Sequence, residues 1–192
     1  MCVLPDGGLL ASVAKDRTVR LWRMSDRSQQ AVLIGHTDRV ERCAFSPDGG
    51  LLATTSQDNT VRLWRLPDGN QHAVLPDHTD SVDGCAFSPD GALLATASFD
   101  RTVRLWHIPD GRPHLVLTGH THSVSGCAFS PDGTLLASVS RDRTVRLWDV
   151  ADGQSHCALR LGGPLAAVAW HPSGTQICAV GTAGVYLLNY QS

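Results

Sequence analysis

The tryptophans Trp22, Trp64, Trp106 and Trp148 fall 42 residues apart, and most of the chain keeps the same interval. Asp16, Asp58, Asp100 and Asp142 repeat in step. So do His36, His78 and His120, and the Pro-Asp-Gly triplets that begin at Pro5, Pro47, Pro89 and Pro131. A fixed period of this length marks a solenoid, propeller or array, in which one unit cannot bury its own apolar faces and neighbours must stack. The units end near residues 24, 66, 108 and 150, and a degenerate fifth spans 157–190, with Leu188 where tryptophan is expected. We treat residues 1–192 as one partial array, since this length suits one domain.

Within a unit the punctuation favours strands. Apolar runs such as "VERCAFS", "LLATTS" and "TVRLWRL" are short and separated by Pro, Gly, Asp and Asn, and none reaches the length of a buried helix. Pro-Asp-Gly suits a type I turn, with Pro at its second position and Gly at its fourth. The runs are nearly continuous rather than alternating, which predicts strands covered on both faces. Each unit therefore supplies four short strands of one small sheet, and the class is all-β.

The order Gly-His, Ser-Pro-Asp-Gly, Ser/Thr-x-x-x-Asp, then Trp six residues after the Asp resembles the WD-repeat family of β-propellers. There are departures from that pattern. Only Trp148-Asp149 is a literal Trp-Asp pair, Asp77 stands before His78 in place of Gly, and the fifth unit has lost the aspartate. The resemblance implies a propeller of four-stranded antiparallel sheets, here an incomplete arc of about five blades whose last blade is weakly held. It also implies a hydrogen-bonded brace in each unit. The braces are His36, Thr54, Asp58 and Trp64; His78, Thr96, Asp100 and Trp106; and His120, Ser138, Asp142 and Trp148. The first unit has Ser12, Asp16 and Trp22 without a histidine.

Ser/Thr, His and Asp are also the parts of a nucleophilic triad. An enzyme needs one such site, whereas a repeated scaffold needs the same brace in every unit, and threonine replaces serine in two of the three complete sets. The expectation is a structural network, no catalytic residues and no cofactor. In such propellers one face binds partners, through residues at the start of the innermost strand and just before the brace aspartate. Carried over, these are Arg39, Glu41, Ser81, Asp83, Ser123 and Ser125, together with Lys15, Gln57, Phe99 and Arg141. They vary in charge and size among otherwise near-identical units, as expected of a constant scaffold with a variable surface. Phe99 stands out as a large apolar residue where its counterparts are Lys, Gln and Arg.

Other chemistry has weaker support. Cys43, Cys85 and Cys127 keep the period and read as small buried hydrophobes rather than a redox or metal ring, with equivalent positions too far apart for disulfides. No C-x-x-C pair occurs, and His120-Thr-His122 lacks companion metal ligands. Ser46, Ser88 and Ser130 precede proline, which fits either phosphorylation or the turn itself. Arg20, Arg62, Arg104 and Arg146 recur beside acidic turns, which implies local pairing. Sixteen basic and 18 acidic residues give a net charge of −2, which argues against a bulk grip on nucleic acid or anionic membrane. No apolar run is long enough to span a bilayer, and the N-terminus does not resemble a signal peptide, so free thiols in the cytosol or nucleus are expected.

Met1 aligns with Cys43, and Gln191-Ser192 follow directly on a third strand. The expectation is an open arc, cut from a longer chain or made from a truncated transcript, with exposed sheet edges that invite self-association. The function expected is a non-catalytic scaffold that binds other proteins. The alternatives are a regulatory module of a larger chain resembling signalling ATPases or telomerase-associated proteins, and a nucleic-acid-associated propeller.

Overall fold

The computed structural model of the chain describes residues 1–190, and every regular element in them is a β-strand. The first sheet holds β1 (Cys2–Val3), β2 (Leu9–Val13), β3 (Thr18–Arg23) and β4 (Gln29–Ile34). The second holds β5 (Val40–Phe45), β6 (Leu51–Ser56), β7 (Val61–Arg65) and β8 (Gln71–Leu75). The third holds β9 (Val82–Phe87), β10 (Leu93–Ser98), β11 (Val103–His107) and β12 (Pro113–Leu117). The fourth holds β13 (Val124–Phe129), β14 (Leu135–Ser140), β15 (Thr144–Asp149) and β16 (Ser155–Arg160). The fifth has three strands, β17 (Leu165–Trp170), β18 (Gln176–Gly181) and β19 (Gly184–Asn189). Gln191 and Ser192, expected to follow the last strand, lie outside the described residues.

Each sheet is an antiparallel meander in which every strand pairs with its neighbours in sequence. The sheets stack through their inner strands, β1 on β5, β5 on β9, β9 on β13 and β13 on β17, as an open arc of five blades. The two end blades are short, as the alignment of Met1 with Cys43 and the third strand before Gln191 lead one to expect: β1 is only two residues long, and the fifth blade has three strands among the described residues.

The expected turn is present. The Ser46 carbonyl accepts the Gly49 amide at 2.9 Å, with Pro47 and Asp48 between them and Gly49 in the left-handed region at φ 73°. The Ser46 hydroxyl also reaches Asp48 and takes the Leu51 amide at 2.9 Å. Ser46, Ser88 and Ser130 are each only 3% exposed, so the turn occupies these hydroxyls and leaves little for a modifying enzyme to reach.

Coverage on both faces holds for the second strand of the middle blades. Leu51–Ser56 and Leu135–Ser140 are buried at every residue. Outer strands such as Gln71–Leu75 keep one face in water. The core is therefore a set of seams between blades rather than one centre. Leu9, Ala11 and Leu21 of the first blade pack with Phe45, Leu52 and Trp64 of the second. Ala53, Leu63 and Leu75 pack with Leu94 and Trp106, and Ala95, Leu105 and Leu117 with Leu136 and Trp148. Each of these tryptophans thus closes the seam toward the preceding blade. In the last seam Leu147 and Ala137 meet Ile177, and Leu188, at the tryptophan position, packs only partly buried there beside Trp170 and Tyr190.

The recurring arginines correct one expectation. Arg20 pairs with Asp16 at 2.8 Å, but Arg62 Nη1 donates to Gln71 Oε1 and the Arg146 guanidinium lies 5.7 Å from the Trp148 ring centre. The Nε atoms of Arg62, Arg104 and Arg146 are buried without a hydrogen-bond partner. Among the described residues Arg20 is the one of these four arginines that forms an ion pair.

Candidate partner-binding face and the brace beneath it

The brace forms in three blades with one geometry. Trp64 Nε1 donates to Thr54 Oγ1 at 2.9 Å, that hydroxyl lies 2.8 Å from His36 Nε2, and His36 Nδ1 lies 2.9 Å from Asp58 Oδ2. Trp106, Thr96, His78 and Asp100 repeat it, with 2.9, 2.8 and 2.7 Å for the same links. Trp148, Ser138, His120 and Asp142 give 2.8, 2.7 and 2.9 Å. The first unit keeps the Trp22–Ser12 bond at 2.8 Å, while Asp16 turns to Thr18 and Arg20 on the surface.

The brace is larger than its sequence signature. Asp58 Oδ1 accepts the Thr60 hydroxyl at 2.6 Å and amide at 3.0 Å, and its Oδ2 also accepts the Thr37 amide at 2.9 Å. The Ser56 hydroxyl accepts the Asp58 amide and donates to the Asp38 carbonyl. Thr102 and Ser98, then Thr144 and Ser140, repeat these roles. The signal was present as Ser-x-Asp-x-Thr at the same 42-residue period in these three units. The residue after each aspartate, Asn59, Arg101 or Arg143, takes a left-handed φ of 67° to 73° that folds the threonine back onto the carboxylate.

Burial raises the Asp142 carboxyl, but bonds from Thr144, the Thr121 amide and His120 overrule it and hold the group at about 2. Asp58 and Asp100 are lowered further by the same opposition, burial against bonds led by His36 and His78. His120 is lowered, chiefly by burial and against the pull of Asp142. The Ser/Thr–His–Asp distances match a catalytic triad, but the hydroxyl environment does not. Thr54, Thr96 and Ser138 have no exposed surface, and each hydroxyl already accepts an indole N–H where a substrate would have to approach.

The two groups of proposed partner-binding residues lie together above the brace, joined by backbone bonds. The Gln57 amide donates to the Arg39 carbonyl, Phe99 to Ser81, and Arg141 to Ser123, at 2.9, 2.8 and 2.9 Å. Strand register explains why Glu41, Asp83 and Ser125 differ from their neighbours. Each is skipped in the inner-strand pairing, as Val40 pairs with Ser56 and Arg42 with Thr55, leaving Glu41 as an extra bulged residue. A bulge re-aims its side chain out of the regular alternation. No sequence signal marks these bulges; they follow from fitting the inner strand to its partner.

Glu41 accepts from Arg39 at 3.0 Å and from Gln57 at 2.8 Å. Across the next seam, burial and then the Glu41 carboxylate raise Asp83, which also accepts the Ser81 hydroxyl at 3.3 Å. One blade further, the Arg141 guanidinium lies 4.8 Å from the Phe99 ring centre and draws Asp83 downward. Phe99 is half-buried beneath Arg141 rather than freely exposed. Ser81 and Ser123 are 8% and 7% exposed, so they contribute backbone more than side chain to the surface. Lys15 is exposed and Ser125 half-buried, and neither joins the bonded strip.

Antiparallel meanders stacked through their inner strands, three of them pinned by a Trp–Ser/Thr–His–Asp brace, define the β-propeller class. The description "WD domain, G-beta repeat" matches residues 1–23, 27–65, 69–107 and 111–149, so the chain belongs to the WD-repeat family. No curated protein matches the chain. The fifth blade lies beyond the matched residues, in keeping with Ala179 and Leu188 standing at its hydroxyl and tryptophan positions.

Proposed function

We propose that this protein is a non-catalytic scaffold that holds a partner protein on the face carrying Arg39, Glu41, Gln57, Asp83, Phe99 and Arg141. One observation carries the reading: the Arg141–Phe99 stack spans the seam between two blades, on loops that backbone bonds tie to Ser81 and Ser123 of the inner-strand group. Residues that differ from unit to unit are joined there into a surface over three blades, while identical residues below do the packing. A cation stacked on an aromatic ring beside carboxylates offers a partner an apolar anchor ringed by charge. Glu41 and Asp83 within the strip disfavour phosphate, which supports a protein partner over nucleic acid. Six free cysteines fit a reducing compartment, the cytosol or nucleus.

The test is affinity capture from cell extract with the wild type, Phe99→Ala and Arg141→Ala, followed by identification and titration of what is retained. Each substitution is expected to weaken a specific partner by about tenfold. Capture indifferent to both changes would remove this face as the binding surface.

A further inference from the structure

The repeated cysteines each face back toward the preceding blade. Cys43 Sγ lies 3.7 Å from the Ala11 carbonyl oxygen of the first blade, and Cys127 packs with Ala86 of the third. What lies opposite is set by strand register. In the inner strands Ala44 pairs with Ala53, Ala86 with Ala95 and Ala128 with Ala137. In the first blade that position is Cys2, paired with the same Ala11 that Cys43 touches. Neighbouring residues on a strand point to opposite faces, so this position looks forward to the next blade while the repeated cysteine looks back. Three seams therefore set a thiol or its replacement against alanine, and only the first sets sulfur against sulfur. Cys2 and Cys43 both pack, partly buried, into the cluster that closes this seam.

We propose that Cys2 and Cys43 are a dithiol–disulfide pair, closed across the first seam by a two-electron oxidant of the peroxide class. The neighbouring Cys2 thiol lowers Cys43, and Cys43 in turn raises Cys2. Cys43, the one of the pair that lines the open groove, is the first nucleophile. Its thiolate attacks one peroxide oxygen, the O–O bond breaks, and hydroxide leaves with a proton as water, giving a sulfenic acid. The Cys2 sulfur then attacks the Cys43 sulfur, the S–O bond breaks, and the second water leaves. Two thiols lose two protons and two electrons, and one peroxide becomes two waters. Half-burial of both thiols, beside a groove of about 200 Å³ that Cys43 helps to line, admits so small an oxidant. The bond would fix the two-residue β1, the shortest strand of the arc, to the second blade. In a reducing compartment it acts as a switch rather than a permanent staple.

The experiment treats the full chain with hydrogen peroxide, maps disulfides by tryptic peptide mass without reduction, and follows melting before and after dithiothreitol. The expected result is a link between the peptide ending at Lys15 and the one beginning at Cys43, lighter than the two peptides by two hydrogens. Oxidised monomer should melt on the order of 5–10 °C higher than reduced protein, reversibly. Cys2→Ser should abolish both the link and the rise, and Cys85→Ser should keep both. If Cys2→Ser fails to fold, the wild-type peptide map decides alone. No Cys2–Cys43 link, a dominant link through Cys85 or the exposed Cys157, or a link found only in disulfide-joined dimers would overturn the proposal.

Discussion

Ser138 shows how little freedom a polar residue keeps inside a packed seam. Its hydroxyl accepts the Trp148 indole N–H, which can only donate, so its own proton goes to His120 Nε2. Nδ1–H of a neutral imidazole then donates to the Asp142 carboxylate, and every donor meets an acceptor. Deleting one member strands the rest without water. Asp100→Ala is expected to lower unfolding free energy by about 1–3 kcal/mol, measured by urea denaturation. Asp16→Ala, in the unit without a histidine and with a half-exposed carboxylate, should move the midpoint far less. Equal effects would mean that the buried network adds nothing beyond the turn. The four brace residues were legible because they repeat at fixed spacing. Thr60 and Ser56 repeat equally, but spacing does not show their roles, which depend on how the turn folds back.

Inner strands must approach closely for blades to stack as an arc, and glycine allows it at one point. A Cβ on Gly84 would lie 3.0 Å from the Gly126 Cα and 3.3 Å from the Ala97 side chain, with backbone that cannot step aside. A Cβ on Gly126 would meet nothing closer than 3.7 Å. Gly84→Ala should therefore cost about 1–3 kcal/mol by overpacking. Gly126→Ala should stay within about 0.5 kcal/mol in the same thermal or urea assay. A tolerated Gly84→Ala would show that the strands can separate. The strands themselves could be read from their boundaries, because Pro, Gly and Asp stand where the chain must turn. The bulges at Glu41, Asp83 and Ser125 could not, because register depends on two strands at once.

Across the whole arc, stability lies in the seams, and the braces tie it to pH. His120 is held below its ordinary value of 6.5 and Asp142 at about 2, below 3.8, with Asp58 and Asp100 displaced the same way. Each of these groups takes a proton more readily in the unfolded chain, so acid favours unfolding. The contribution of His120 is complete above its ordinary value and fades as pH falls below 6.5. The aspartates' contribution is complete above their ordinary value and fades from about 4 down through their folded values. Urea midpoints measured at about pH 8, 5 and 3 should fall in that order, most steeply at the end. A midpoint that rises on acidification would contradict the assigned protonation states.

The sequence by itself determined the all-β class, the unit boundaries, the turns and the brace, because each is a local or periodic property and repetition averages out accident. It also marked the residues that vary from unit to unit. Tertiary structure alone decided which of those meet. Phe99 and Arg141 are 42 residues apart in sequence and occupy equivalent places in different blades, yet they stack, because adjacent blades present equivalent positions side by side. The opposition of Cys2 to Cys43 was hidden for the same reason. Spacing along the chain shows which positions are equivalent, whereas inter-blade packing decides which side chains meet, whether equivalent like Phe99 and Arg141 or not like Cys2 and Cys43.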